Sequence, residues 1–116
     1  AVVVKGIEAV DAAIAKIYAK VIEKNDILVI TADHGNAESL VYKSSGEAET
    51  KHDDSPVFFY LIGSDFVTSK TEQKLAEEVS AVNGILADVA PTILQLMGIS
   101  VPAEMTGQSL LSLLTS

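Results

Sequence analysis

The sequence predicts an α/β fold with a mostly parallel sheet, because an amphipathic helix is followed by two short apolar strands. Residues 5–24 place apolar side chains at alternating steps of three and four, which is the spacing of one helical stripe. The stripe consists of Ile7, Val10, Ile14, Ile17 and Val21. Residues 27–31 then form a β-branched run with little polar interruption, typical of a parallel strand covered on both faces.

The second strand is predicted at residues 57–62, entered through Pro56, since proline is tolerated at the first position of a strand. Between the two strands, residues 38–54 are polar and predict a loop, in which Ser45-Gly46 fits the tip of a hairpin. Residues 72–79 fit either a short surface helix or a solvated loop.

The C-terminal region predicts two helices. Asp88 is a plausible N-cap of the first, with Pro91 in its first turn and Gly98 after its end. The second helix is expected at residues 107–114. The apolar side chains expected to face inward from the first helix are Val89, Ile93, Leu94, Leu96 and Met97.

Composition narrows the function classes. A chain of 116 residues with 48% apolar residues fits one ordered domain, or part of one. Its net charge of −8 and lack of arginine argue against nucleic acid as a partner. No cysteine is present, so a metal would need carboxylate, imidazole or hydroxyl ligands. Neither a secretory leader nor a membrane span is evident, and we expect a cytoplasmic protein.

Asp33 and His34 end the first predicted strand, at the edge of a sheet where α/β proteins bind ligands. A carboxylate beside an imidazole suits Mn, Zn or Fe better than Ca. His52, the other histidine, precedes the second strand, and the long loop would have to carry it back to Asp33 if the strands are parallel. Spacing alone fits equally well a capping aspartate beside a surface histidine at residues 33–34. For His52, spacing alone favours a solvated loop position over a ligand role.

Four ordered motifs resemble the C-terminal part of cofactor-independent phosphoglycerate mutase, a family of the alkaline phosphatase superfamily. They are TADHGNAE at residues 31–38, KH at 51–52 leading into SPVF at 55–58, GILADVAPT at 84–92 and PAEMTGQSL at 102–110. The resemblance implies part of a three-layer α/β/α domain with a mostly parallel central sheet. It also implies a metal-dependent enzyme that interconverts 3- and 2-phosphoglycerate through a phosphoserine.

By this resemblance, Asp33 and His34 would ligate one of two ions, usually Mn²⁺, with Mg²⁺, Zn²⁺ or Co²⁺ as alternatives, and His52 would ligate the other. The family's nucleophilic serine, its Gly-His-containing motif and its inserted substrate-binding domain have no counterpart in residues 1–116. The Lys-His-Asp-Asp-Ser segment around His52 also departs from the usual Ala-His-Thr.

We therefore expect residues 1–116 to be the C-terminal portion of a longer enzyme, inactive alone, with an exposed sheet edge that could self-associate. Two other interpretations stay open. The chain could be another phosphatase or phosphomutase of the superfamily, completed by a companion chain. It could also be a non-catalytic interaction module that recruits a partner strand.

Overall fold

A computed structural model of the chain describes residues 2–35 and 54–115, which divide between two compact units, Ala1–Val67 and Thr68–Ser116. The first unit contains helix α1 (Val2–Lys24) and strands β1 (Leu28–Ile30) and β2 (Tyr60–Ile62). The second contains helices α2 (Glu72–Ser80), α3 (Val89–Leu96) and α4 (Leu111–Leu114). One-turn 3₁₀ helices lie at Ser64–Phe66 and Leu86–Asp88.

The first predicted helix is confirmed, and α1 begins three residues earlier than its apolar stripe suggested. It ends where Asn25 adopts a left-handed conformation with φ of 56°, which asparagine tolerates better than most residues. The N–H groups of Asn25 and Asp26 donate to the carbonyls of Ile22 and Val21 at 3.1 and 2.9 Å. This Schellman arrangement satisfies carbonyls that the helix end leaves without a partner.

The apolar stripe of α1 does not pack as expected. Ile7, Val10 and Ile17 are each more than half exposed, and no apolar side chain of residues 2–35 and 54–115 other than Pro91 is buried. An apolar helix face is buried only when another element lies against it. Each of the two strands in this unit is three residues long, so they offer little surface to cover a helix of 23 residues. Within the two described ranges, no helix has the length and apolar content needed to cross a membrane.

The two described strands are paired antiparallel, so the prediction of parallel neighbours is wrong for this pair. Leu28 lies opposite Ile62 and Ile30 lies opposite Tyr60. The sequence could not fix the direction, because a short apolar run looks the same in either orientation. The last residue of β1 and the first residue of β2 are therefore neighbours, at the same end of the two-stranded sheet.

The second predicted strand is shorter than residues 57–62, since only Tyr60–Ile62 pairs with β1. Upstream of it the chain still alternates, with Ser55, Val57 and Phe59 half-buried. Phe58 and Tyr60 are exposed, and their rings stack with centroids 5.6 Å apart. The predicted turn around Ser45-Gly46 lies outside the described residues.

In the second unit, residues 72–79 form a helix rather than a solvated loop. Thr71 caps α2, because its hydroxyl accepts a hydrogen bond from the Lys74 N–H at 3.2 Å. An ion pair of 2.8 Å between Lys70 and Glu78 spans most of the helix.

Asp88 precedes α3 as predicted, but its carboxylate does not cap the helix. It accepts hydrogen bonds from the backbone N–H groups of Ile85 at 2.9 Å and Gln108 at 2.7 Å. Thr92, which is fully buried, donates its hydroxyl to the Asp88 carbonyl and accepts from the Leu110 N–H at 2.9 Å. We call these two side chains, with the N–H groups of Ile85, Gln108 and Leu110, the Asp88–Thr92 clasp.

The predicted end of α3 is confirmed. Gly98 has φ of 69°, and the N–H groups of Gly98 and Ile99 donate to the carbonyls of Gln95 and Leu94. The prediction that Ile93 and Met97 face inward is wrong, because both are exposed. The last helix, α4, is a single turn and shorter than residues 107–114.

We expect acid to weaken the contact of residues 107–110 with Asp88, because the clasp depends on the charged Asp88 carboxylate. The N–H donors of Ile85 and then Gln108 hold the pKa of the Asp88 carboxyl below its ordinary value of 3.8, against an opposing effect of burial. The stabilisation should be complete above that ordinary pKa and lost as the pH falls through the lowered pKa of the folded state. An acid titration that follows the Gln108 and Ile85 amide resonances would measure it, with Asp88→Asn as the variant expected to lose the transition.

Candidate metal centre

The two adjacent ligand candidates, Asp33 and His34, follow strand β1 after two intervening residues. The strand ends at Ile30, and the chain bends at residues 33–34 before reaching Gly35, which is buried. The Asp33 side chain is 90% exposed and that of His34 is 32% exposed. The imidazole is therefore held against the protein while the carboxylate reaches into solvent.

The side chains of Asp33 and His34 converge although the residues are neighbours in sequence. The His34 Nε2 lies 3.6 Å from the Asp33 Oδ1. In a regular strand adjacent side chains would point to opposite faces, and the bend after β1 removes that restriction. The strand end and the glycine predicted that these two side chains can converge on one ion. The structure brings them within 3.6 Å of each other, and their ligand role stays a prediction.

The other ring nitrogen of His34 fixes the tautomer. Nδ1 lies 2.8 Å from the Gly35 carbonyl oxygen, which only accepts hydrogen bonds, so the proton of the neutral imidazole belongs on Nδ1. Nε2 then carries the lone pair and faces the Asp33 carboxylate. Metal-binding histidines commonly donate one ring N–H to a carbonyl oxygen and leave the other nitrogen near a second ligand atom, and His34 has this arrangement.

The donor set fits a transition-metal ion. Ligand bonds of about 2.0–2.2 Å from one ion to a carboxylate oxygen and an imidazole nitrogen are compatible with donors 3.6 Å apart. Imidazole nitrogen disfavours calcium, and the mixed set suits Mn, Zn or Fe. These two side chains alone leave most of a coordination sphere open, so a functional centre needs further ligands.

The antiparallel pairing changes what can be expected of His52. Ile30 pairs with Tyr60, so β2 begins at the same end of the sheet at which β1 ends and the segment with Asp33 begins. With parallel strands the loop would have had to carry His52 back from the opposite edge. His52 itself lies outside the described residues, and its ligand role stays a prediction.

Within residues 2–35 and 54–115, no group of three His, Asp or Glu side chains is placed to hold a metal ion. The feature that motif reading missed is the hydrogen bond from His34 to the Gly35 carbonyl. Its only signal in the sequence is a glycine directly after a histidine, which is too common to indicate a tautomer.

The family of the chain follows from comparison with known proteins. A model of the metalloenzyme superfamily matches residues 1–101, and the chain belongs to that superfamily. This agrees with the strand-end Asp-His pair and with a partial α/β fold.

Individual relatives are more specific. The chain is 48% identical over 92% of its length to the 2,3-bisphosphoglycerate-independent phosphoglycerate mutase of Clostridium novyi. It is 47% identical over 94% of its length to that of Clostridium perfringens, and 42% identical over 95% to that of Acinetobacter baylyi. The resemblance drawn from the four motifs is thereby confirmed. The chain spans about a fifth of the length of these curated relatives, 19–20%.

Proposed function

We propose that this chain provides metal ligands to a phosphoglycerate mutase that interconverts 3- and 2-phosphoglycerate through a phosphoserine. The observation that carries the proposal is the Asp33–His34 pair, whose donors converge at a strand end in a chain similar over nine-tenths of its length to such mutases. We assign Asp33 and His34 to one ion and His52 to a second. The metal we expect is Mn²⁺, with Mg²⁺, Zn²⁺ or Co²⁺ as alternatives.

The role of these residues is to position and tune the ions. The Gly35 carbonyl orients the His34 ring so that Nε2 is the atom that would bind the metal ion. The Asp33 carboxylate contributes negative charge beside it. A bound pair of ions would lower the pKa of a serine hydroxyl and neutralise charge that develops on a transferring phosphoryl group.

The nucleophile and the substrate clamp belong to other parts of the enzyme in this proposal. Phosphate and carboxylate are usually gripped by arginine, and these 116 residues contain none. Sixteen acidic residues against eight lysines would repel a phosphoglycerate unless cations intervene. We therefore assign residues 1–116 to the metal-binding domain, and the substrate-binding domain to the remaining length of the relatives. The assignment places the enzyme in cytoplasmic glycolysis.

A segment exchange tests the activity. The matching segment of the Clostridium novyi relative would be replaced by this chain, and mutase activity would be measured with and without Mn²⁺. We expect a Mn²⁺-dependent mutase that is inactivated by Asp33→Asn or His52→Ala. Asp65→Asn, which removes an exposed carboxylate far along the sequence, is the matched control and should keep activity.

Metal binding is measured separately by calorimetric titration of the same proteins with Mn²⁺. Loss of a direct ligand should weaken binding by more than the roughly 10–100-fold typical of an outer-shell partner. A folded exchange protein that binds Mn²⁺ normally after Asp33→Asn would overturn the ligand assignment. One that binds Mn²⁺ but has no mutase activity would overturn the substrate assignment and favour another reaction of the superfamily.

A further inference from the structure

Asn83-Gly84 is a chemically unusual pair in this chain. Of the three asparagines, Asn25 precedes an aspartate and Asn36 an alanine, so only Asn83 precedes a glycine. The pair lies between the end of α2 at Ser80 and the 3₁₀ helix that begins at Leu86. Neither residue belongs to a helix or a strand.

The surroundings of Asn83 leave its side-chain amide accessible. Asn83 is exposed, and its Nδ2 approaches the carbonyls of Ala81 and Glu78 at 3.3 and 3.5 Å, which is long for a hydrogen bond. Within the described part of the chain, the Gly84 N–H donates no hydrogen bond. Glycine also has no Cβ to obstruct its own backbone nitrogen.

We propose that Asn83 is a site of spontaneous deamidation. The Gly84 backbone nitrogen loses its proton to solvent base and bonds to the Asn83 Cγ, the Cγ–Nδ2 bond breaks, and ammonia leaves after taking a proton from water. The product is a cyclic imide. Water then adds to either imide carbonyl and breaks its bond to nitrogen, which yields aspartate or isoaspartate. No oxidant or reductant is involved, and each event adds one negative charge.

Gly84 packs closely against residues of the Asp88–Thr92 clasp. A Cβ on Gly84 would lie 2.9 Å from two methyl carbons of Leu110 and 3.2 Å from the Asp88 Oδ2. Any larger residue would therefore press on the Asp88–Thr92 clasp. Glycine at position 84 therefore both fits this close packing and leaves its own backbone nitrogen unobstructed.

Deamidation should loosen both neighbours of the site. The Asn83 amide faces carbonyls at the C-terminal end of α2, where the helix dipole favours positive charge, and a carboxylate there is repelled. Isoaspartate also inserts an extra methylene into the backbone directly before Gly84. Both changes act on the segment that leads to Ile85, whose N–H binds the Asp88 carboxylate.

The test is incubation of the folded chain at mildly alkaline pH, followed by isoelectric focusing, peptide mapping by mass spectrometry and enzymatic methylation of isoaspartate. We expect the more acidic species to carry its modification at Asn83, to form faster there than at Asn25 or Asn36, and to be lost in Asn83→Gln. Modification at Asn83 no faster than at the other two asparagines would overturn the proposal. So would an acidic species that forms in Asn83→Gln as fast as in the wild type.

The structural consequence has its own readout. Asn83→Asp reproduces the new charge, and Asn83→Gln keeps a neutral amide as its matched control. Amide hydrogen exchange in the last turn of α2 and at Gln108 should be faster in Asn83→Asp than in Asn83→Gln. Equal exchange in the two variants would contradict the loosening.

Discussion

Thr92→Val should weaken the hydrogen bonding that holds residues 107–110 against α3, while the volume of the side chain stays nearly the same. The Thr92 hydroxyl is fully buried and accepts the Leu110 N–H at 2.9 Å. Valine replaces that oxygen by a methyl group and leaves the N–H without its acceptor, which costs about 1–3 kcal/mol for a buried donor. Native-state hydrogen exchange at Leu110 measures the loss, and we expect a decrease in its opening free energy of that size.

Thr92→Ser is the matched control for that experiment. Serine keeps the hydroxyl that receives the Leu110 N–H and donates to the Asp88 carbonyl, and it loses only the methyl group. Exchange at Leu110 should then stay close to that of the wild type, apart from the cost of a small cavity. Equal acceleration in Thr92→Ser and Thr92→Val would mean that packing, not the hydrogen bond, fastens the segment.

Local features of the fold could be predicted from the sequence because they depend on a few neighbouring residues. Helix α1 follows from its apolar period, and the left-handed end at Gly98 follows from the tolerance of glycine for positive φ. Asp88 was correctly placed before α3 because aspartate is common at the residue that precedes a helix. The partners of its carboxylate could not be predicted, because Gln108 is twenty residues away and is brought there by tertiary structure.

Non-local features were predicted less well. The direction of β1 against β2 depends on how the intervening chain returns, and an apolar strand carries no direction in its composition. The exposure of Ile7 and Ile17 likewise reflects what lies against the helix rather than the helix itself. An amphipathic pattern predicts which face can be buried, and it does not supply the covering surface.

The candidate metal site shows both cases together. Asp33 and His34 could be proposed as ligands because the strand end, the ligand types and the following glycine are adjacent in sequence. The orientation of the imidazole by the Gly35 carbonyl could not, since it depends on a ring rotation of His34. The antiparallel pairing places the start of β2 beside the end of β1, and the ligand role of His52 stays a prediction because that residue lies outside the described ranges.

Gly107→Ala should disrupt the clasp from the opposite side. A Cβ at position 107 would collide with the carbonyl oxygen of Ala87 and lie 3.0 Å from the Asp88 nitrogen. Both are backbone atoms, so a side-chain rotation cannot relieve the contact and the two segments must separate. Overpacking of this kind costs about 1–3 kcal/mol or more. We expect the Gln108 amide, which donates to Asp88 at 2.7 Å, to lose hydrogen-exchange protection by that amount.

The control for Gly107→Ala is the same substitution where the structure leaves room. Gly6 lies inside α1, and a Cβ there meets nothing within 4 Å. Gly6→Ala should therefore stabilise the helix by about 0.5–1 kcal/mol, through the lower conformational freedom of alanine in the unfolded chain. Opposite signs for the two variants would separate the close approach at Gly107 from any general effect of replacing glycine. Full protection of Gln108 in Gly107→Ala would instead mean that the backbone around Ala87 yields without releasing the clasp.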